Sequence, residues 1–351
     1  MISLSSAQQT LEATPDGNTS PTQYQKRLDE ALNQQDPWVL SYWLSELPSI
    51  HYCSEAHLPF LVSHLQANAL PIVHFVQPMW HLDPDYAFVL ADWLKSVRPN
   101  DRLIFLLNDN TAIPEFHRQG MEAHFIHQNA FLDETQWRPA TSPLPPRFDA
   151  IYNARMVPFK RHNLAKAIGR LALICPQVGE GADLWSEQMK TELPDAFRFG
   201  NEGPNLSLGE VREVIWQSQV GLCLSGEEGG MYVAGEYGLC GLPIVSTPSR
   251  GGRDAFVQIP GNFIVPPDAE CIARAVNELK ANPPDPTMVR MATLRVINEH
   301  RQKFISLGQS VYNSYGCGRD FGRDFYLRLI NKMGGFKSWS SAKSTWYSLG
   351  A

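Results

Sequence analysis

The sequence predicts an α/β protein made of two doubly wound domains that face a cleft, and three observations support this. The chain has 351 residues, a length that suggests two domains. Apolar runs of four to six residues alternate with helical patterns, which indicates parallel sheets covered on both faces. A segment with four prolines, residues 138–148, separates two such series and is the predicted linker.

The first series follows a polar, Ser/Thr-rich tail at residues 1–20. Ser20 and Pro21 are typical of an N-cap and a first helical position, so we predict a helix over 22–35. Strands and helices then alternate. The predicted strands are 71–76, 102–107 and 122–127, and the predicted helices are 84–97 and 113–120.

The second series restarts after the prolines. The predicted strands are 149–154, 220–225, 242–247 and 262–267, and the predicted helices are 160–172, 207–218 and 268–281. Ser207 and Glu210 form a capping-box pattern at the start of one helix. After Pro286 the pattern is helical to about Lys332. The predicted regions are a tail and helix (1–35), a first domain with linker (36–148), a second domain (149–286) and a helical C-terminal region (287–351) that packs on the first domain.

Composition limits the possible functions. The net charge is −6 and the isoelectric point is about 5.9, so we expect no nucleic-acid partner and no strong membrane attraction. The six cysteines form no CxxC pair and predict buried thiols in a reducing compartment. The N-terminus lacks a signal-peptide pattern and no apolar run is long enough to span a membrane, so we predict a cytoplasmic protein.

The segment "EEGGMYVAGEYGLCGLPIVSTPSRGGRD" contains the strongest functional pattern. Glu228 and Glu236 bracket seven residues that include several glycines. We predict a helix start near Gly229 and Gly230, where unpaired N–H groups and close backbone approach suit a phosphate. An ionised carboxylate at Glu236 has two acceptor oxygens for the hydroxyls of a ribose. The alternative is a glycine-rich turn with two solvated glutamates.

A second pattern, "YNARMVPFKRHNLA", places Arg155 and Lys160 directly after a predicted strand. A guanidinium and an ammonium can both face a diphosphate and neutralise a departing phosphate without a metal. The alternative is a solvated start to a helix.

Together these stretches resemble the GT-B glycosyltransferases, in particular the large retaining group with a Glu, seven residues, Glu signature. The third matching stretch is "HQNAFLDETQWRP" (127–139), and the resemblance covers roughly residues 100–285. The chain departs from the pattern at Gly230, where the group usually has Phe, and at Asp254, where Glu is common. Ala130 and Leu132 also replace the usual Gly and Asp. These departures leave all four charged candidates in place, which are Arg155, Lys160, Glu228 and Glu236.

The resemblance implies two Rossmann-like domains and a role for each candidate residue. Arg155 and Lys160 bind the donor diphosphate, Glu228 contacts the donor sugar as a catalytic residue, and Glu236 holds the ribose. The backbone of Gly229, Gly230 and Met231 meets phosphate or sugar oxygens. The group works with retention, without a bound metal and with no cofactor. It often places a histidine beside the reacting sugar, for which the candidate is His81.

We therefore predict a hexosyltransferase-type glycosyltransferase that uses a nucleotide-sugar donor and a carbohydrate or small-molecule acceptor. Residues 36–148 contain six basic and twelve acidic side chains, so the basic face that docks on anionic lipids is absent and a soluble or neutral acceptor is favoured. Two alternatives remain at this point. One is a sugar phosphorylase or nucleotide-sugar epimerase on the same fold, and the other is an inactive GT-B scaffold that only binds.

Overall fold

A computed structural model of the chain describes residues 21–65, 69–142, 144–176, 182–200, 206–329, 331 and 336–343. The chain divides into two compact units. The first unit comprises the described parts of 21–132 and 298–343, and the second comprises those of 133–297. Among these residues each unit holds a six-stranded sheet with helices packed on it, which confirms the predicted α/β class. The domain limits at residues 35, 148 and 286 stay predictions.

The chain of the first unit begins with a regular series of elements. They are α1 (Pro21–Leu32), β1 (Trp38–Glu46), β2 (Ser49–Ser54), α2 (Leu58–Ser63), β3 (Ile72–Gln77), α3 (Pro84–Val97), β4 (Arg102–Leu107), α4 (Ile113–Arg118) and β5 (Glu122–Phe125). The limits of α3 and β4 confirm the predictions. Helix α3 begins at Pro84 because the Asp83 side chain accepts a hydrogen bond from the Asp85 N–H. Ser20, the predicted cap of α1, lies outside the described residues.

The second unit contains the next series. Its elements are β6 (Ala150–Asn153), β7 (Leu171–Ile174), α5 (Ala182–Glu192), β8 (Phe197–Phe199), α6 (Leu208–Trp216), β9 (Gly221–Cys223), α7 (Tyr232–Leu239), β10 (Ile244–Ser246), β11 (Phe263–Ile264) and α8 (Ala269–Ala281). The predicted capping box of α6 is confirmed. The Ser207 side chain accepts a hydrogen bond from the Glu210 N–H, and the Glu210 side chain accepts one from the Ser207 N–H. The last elements are α9 (Pro286–Ser314), α10 (Phe321–Arg328) and β12 (Phe336–Ser338).

The predicted helix over 160–172 is wrong. Two short 3-10 turns, Pro158–Lys160 and His162–Ala165, stand in its place, and the last residues of the range enter β7. Arg161 between the turns has a φ of 53°. This left-handed conformation is costly for an L-residue and interrupts a right-handed helix.

The sheet of the first unit has the strand order β12-β1-β2-β3-β4-β5. Strands β2 to β5 are parallel, but β1 runs antiparallel to both β2 and β12. This antiparallel edge differs from the wholly parallel sheet that the sequence predicts. The alternation of side chains along β1 is broken by a register shift between Trp43 and Ser45, as expected of a bulge.

Two apolar clusters cover the faces of this sheet. Ile72 and Val76 pack with residues of α1 to α4 on one face. Val73 and Phe75 pack with residues of α9 and α10, such as Phe304 and Phe321, on the other. This division follows from the two-residue period of a strand. The helical segment after residue 298 is therefore part of the core of the first unit.

The sheet of the second unit is parallel throughout its described pairs and has the strand order β11-β10-β9-β6-β7-β8. Its first strand, β6, lies in the centre. The chain builds outward through β7 and β8 on one side, then returns to build β9, β10 and β11 on the other. This is the doubly wound order 3-2-1-4-5-6, in which ligands bind at the carboxyl ends of the strands where the order reverses. That point lies between β6 and β9.

Within the described part of the chain, no helix combines the length and the apolar character that a membrane crossing requires.

Candidate functional site

Three loops of the second unit meet at the carboxyl edge of its sheet. They follow β6 (residues 154–162), β9 (224–231) and β10 (247–256). Because the strands are parallel, their carboxyl ends lie at one edge. Strands β6 and β9 pair directly at Ile151 and Gly221. The loops that carry the predicted residues are therefore neighbours at the point where the strand order reverses.

Lys160 and Glu228 form a buried ion pair at this point. The Lys160 ammonium donates a short hydrogen bond to Oε1 of Glu228. Lys160 is 7% exposed and Glu228 is 3% exposed. Burial lowers the pKa of Lys160 below its ordinary value, while the Glu228 carboxylate acts in the opposite direction. The structure thus brings together two candidate residues from different loops.

The conformation of the β6 loop places Lys160 in this pair. The Tyr152 hydroxyl at the end of β6 donates a 2.6 Å hydrogen bond to the Lys160 carbonyl. The Tyr152 ring also packs on the ring of His162, with centroids 4.9 Å apart. Burial lowers the pKa of His162 to about 3, so this imidazole is neutral near pH 7. Lys160 is therefore held through its backbone carbonyl by a tyrosine whose buried ring packs on that of His162.

Glu228 is fixed by the other two loops. Its backbone N–H donates to the Arg250 carbonyl at 3.0 Å, and the Arg250 N–H donates to the Gly226 carbonyl at 3.0 Å. The Ser225 hydroxyl donates to Oε1 of Glu228 at 2.8 Å. No hydrogen bond to Oε2 of Glu228 occurs among the described residues. Within the described residues, the hydrogen bonds of this carboxylate are thus concentrated on one of its two oxygens.

Glu236 lies on α7, which begins later than predicted. The helix starts at Tyr232 with Met231 as its N-cap, so the predicted start at Gly229 or Gly230 is wrong. Both glycines are buried in the preceding loop. Their predicted approach to phosphate, together with that of Met231, stays a prediction.

The carboxyl group of Glu236 is buried, and no hydrogen bond from the described residues offsets its loss of hydration. Glu236 is 8% exposed, and its carboxyl group has no hydrogen bond in the part of the chain that the structure describes. Desolvation raises its pKa to about 8. At neutral pH this group is mostly protonated, and a partner that donates hydrogen bonds would favour its ionised form.

Tyr237 anchors α7 to strand β6 of the sheet. Its hydroxyl donates to the Ile151 carbonyl at 3.3 Å and accepts from the Asn153 N–H at 2.9 Å. Its ring lies against Gly221, where an added Cβ would be 2.3 Å from the ring. A glycine in β9 is thus required for this packing, and it ties α7 to the end of β6.

Two other candidates lie outside this pair. Arg155, in the β6 loop, is half-buried, and its guanidinium lies 5.7 Å from the centroid of the Phe159 ring. His81 lies in the first unit, between β3 and α3, where its ring meets Trp80 edge to face. Their predicted roles at a diphosphate and beside the reacting sugar stay predictions.

Sequence reasoning missed Ser225 and Arg253. Both are fully buried. The Arg253 guanidinium donates to the carbonyl of Ser225 at 2.7 Å, to that of Cys223 at 3.2 Å and to that of Thr247. It therefore ties the carboxyl end of β9 to that of β10. An arginine in the glycine-rich turn "SRGGRD" was the available signal.

Among the described residues, no three His, Cys, Asp or Glu side chains cluster in a way that could hold a metal ion.

No protein-family model and no curated protein sequence matches this chain. Similar solved structures include HepE of Anabaena in complex with UDP (TM-score 0.55, 12% identity, 82% of this chain and 82% of that chain). A second is sucrose-phosphate synthase of Thermosynechococcus elongatus (TM-score 0.53, 13% identity, 76% of this chain and 74% of that chain). A third is OtsA without ligand (TM-score 0.53, 13% identity, 82% of this chain and 78% of that chain). At these identities the likeness is one of fold: the chain has the GT-B fold of the glycosyltransferase structures that it matches.

Proposed function

We propose that this protein is a glycosyltransferase that takes a sugar from a nucleotide-sugar donor bound at the carboxyl edge of the second sheet. The observation that carries the proposal is the Lys160–Glu228 pair between β6 and β9, where doubly wound sheets bind nucleotides. A cation and a carboxylate at one point suit a donor that is anionic at its diphosphate and rich in hydroxyls at its sugar.

In this proposal each candidate residue binds a different part of the donor. Lys160 and Arg155 face the diphosphate and stabilise the negative charge that grows on the departing phosphate. The second oxygen of Glu228 accepts from hydroxyls of the donor sugar. The Glu236 carboxyl group takes the ribose hydroxyls. The backbone of Gly229, Gly230 and Met231 lies between the two glutamates, where the sugar joins the diphosphate.

The remaining parts of the proposal rest on the resemblance to retaining GT-B enzymes. They are transfer with retention and without a metal, and a His81 that lies beside the reacting sugar. The sugar is a hexose. The acceptor is a soluble or neutral carbohydrate or small molecule, supported by the acidic balance of residues 36–148.

HepE was solved with UDP and with UDP-glucose, so UDP-glucose is the first donor to test. Thermal unfolding would be followed with UDP-, GDP- and ADP-glucose, and release of the nucleoside diphosphate would be assayed with mono- and disaccharide acceptors. We expect one donor to raise the melting temperature and to be consumed only with an acceptor. The proposal fails if no nucleotide sugar protects the protein. Breakdown of a glycoside that requires inorganic phosphate would identify a phosphorylase instead.

A further inference from the structure

A buried hydrogen-bond chain ends on the proposed sugar-binding carboxylate. It runs from the Arg253 guanidinium to the Ser225 hydroxyl and then to Oε1 of Glu228, over distances of 3.3 Å and 2.8 Å. Lys160 donates to the same oxygen from the β6 loop. Ser225 and Arg253 are each 0% exposed. Neither side chain can touch a ligand, so the Ser225 hydroxyl can act on the reaction only through its hydrogen bond to Glu228.

Arg253 fixes the direction of the serine hydroxyl. A guanidinium can only donate hydrogen bonds, whereas a serine hydroxyl has one proton and two acceptor lone pairs. Ser225 Oγ must therefore accept from Arg253 and give its single proton to Glu228. The Ser225 carbonyl also accepts from Arg253, at 2.7 Å, so the backbone and side chain of this serine are held by one guanidinium.

The carboxylate is oriented as a result. Oε1 of Glu228 receives both the Ser225 proton and the Lys160 proton, and among the described residues Oε2 receives none. Without the serine hydroxyl, the buried carboxylate could turn so that both oxygens compete for Lys160. The cation would then be drawn from the diphosphate, and the oxygen meant for the sugar would be lost.

We propose that Ser225 is a positioning residue whose hydroxyl, directed by Arg253, holds one oxygen of Glu228 against Lys160 and leaves the other for the donor sugar. This inference rests on the proposed function of the site. It adds a residue that determines how the sugar, and not the nucleotide, is held.

The kinetic test compares Ser225→Ala with Ser225→Thr, which keeps the hydroxyl. The matched control is Ser246→Ala, since Ser246 is fully buried at the end of β10 and donates to the Cys223 carbonyl at 2.9 Å without contacting Glu228. With UDP-glucose as donor, we expect Ser225→Ala to lower kcat about tenfold and to change the Kd for UDP less than threefold. Ser225→Thr should recover most of the loss. Equal losses in Ser225→Ala and Ser246→Ala would overturn the proposal.

A second measurement does not depend on activity. The unfolding equilibrium constants of Ser225→Ala, Glu228→Gln and the double variant form a thermodynamic cycle. Because hydrogen bonds to a charged acceptor are stronger than neutral ones, we expect a coupling of about fivefold between the two positions. Additive effects would overturn the positioning role. A different result is a clear coupling in a protein that, unaltered, turns over no nucleotide sugar. That result would overturn the proposed function, but the hydrogen bonds from Arg253 through Ser225 to Glu228 would still stand.

Discussion

The Lys160 ammonium donates a hydrogen bond to the Glu228 carboxylate although the two residues are 68 positions apart in the chain. Both are buried, so each charge depends on the other. Taking a charged pair out of water is costly, and the attraction within the pair offsets this cost only while both partners are present. A buried pair is therefore weak evidence for stability, and its position at the edge where doubly wound sheets bind ligands favours a functional explanation.

The first prediction concerns this dependence. Lys160→Met should destabilise the protein by about 3 to 5 kcal/mol, because it leaves the Glu228 carboxylate buried without its cation. The double variant Lys160→Met, Glu228→Gln should lose much less than the sum of the two single losses. Urea unfolding measures both, with Lys166→Met, at an exposed lysine of the same loop region, as the control. Additive losses would show that the charges do not depend on each other.

The second prediction concerns two glycines, Gly221 in β9 and Gly226 in the loop that follows this strand. Gly221→Ala should destabilise the protein by about 1 to 3 kcal/mol, because the new Cβ meets the buried Tyr237 ring at 2.3 Å. At Gly226 a Cβ would meet the guanidinium of Arg161. That group ends a flexible side chain and can move away, so Gly226→Ala should cost less. The measurement is the free energy of unfolding of the two variants. A larger loss for Gly226→Ala than for Gly221→Ala would contradict the packing of Tyr237 against Gly221.

Much of the fold was predictable because local patterns determine it. Helix α3 matched its predicted limits because Asp83 and Pro84 define its start within the sequence. The pairing of β1 with β12 was not predictable, because it joins residues 38–40 to 336–338 and no local pattern records such a contact. The helix predicted at 160–172 failed because the local pattern records neither the left-handed conformation of Arg161 near its start nor the pairing of Leu171 and Ala172 with β6.

The same limit applies to the site. The residue types at Arg155, Lys160, Glu228 and Glu236 suggested a nucleotide-sugar site from the sequence. The pairing of Lys160 with Glu228 required the order of strands β6 and β9. Arg253 was missed because it acts by donating hydrogen bonds to backbone carbonyls at the ends of two strands. The sequence does not show where backbone carbonyls lie.

The third prediction concerns the diphosphate. Arg155→Ala should lower turnover at least about tenfold, roughly 1.4 kcal/mol of transition-state stabilisation. Arg155→Lys should also be impaired if the guanidinium binds in a bidentate way. A suitable control is Arg170→Ala, because Arg170 pairs with Asp149 at 2.8 Å before β6 and β7 begin, at the amino ends of the strands. Steady-state kinetics at saturating donor provide the measurement. Normal turnover of Arg155→Ala would make this residue part of a solvated loop.

The fourth prediction follows from the raised pKa of Glu236, about 8 in the folded protein against an ordinary 4.5. The folded state holds a proton that the unfolded state releases above pH 4.5. Stability attributable to this group is therefore highest below pH 4.5, falls as pH rises towards 8 and then levels off. Glu236→Gln should remove this fall, so its stability relative to the unaltered protein should increase by up to about 1.4 kcal/mol per pH unit in that window. Urea unfolding at pH 5, 6.5 and 8 tests the slope.

The fifth prediction separates the two glutamates through the ligands that each would hold. UDP contains the ribose but not the donor sugar. Glu236→Ala should therefore weaken the binding of both UDP and UDP-glucose. Glu228→Ala should spare UDP and reduce transfer, because the proposed contact acts where the sugar develops charge. Calorimetric titration in two buffers of different ionisation enthalpy would also show whether UDP binding releases the Glu236 proton. Equal losses of UDP affinity in both variants, or a loss confined to Glu228→Ala, would contradict the assignment, since only Glu236 is proposed to meet the ribose.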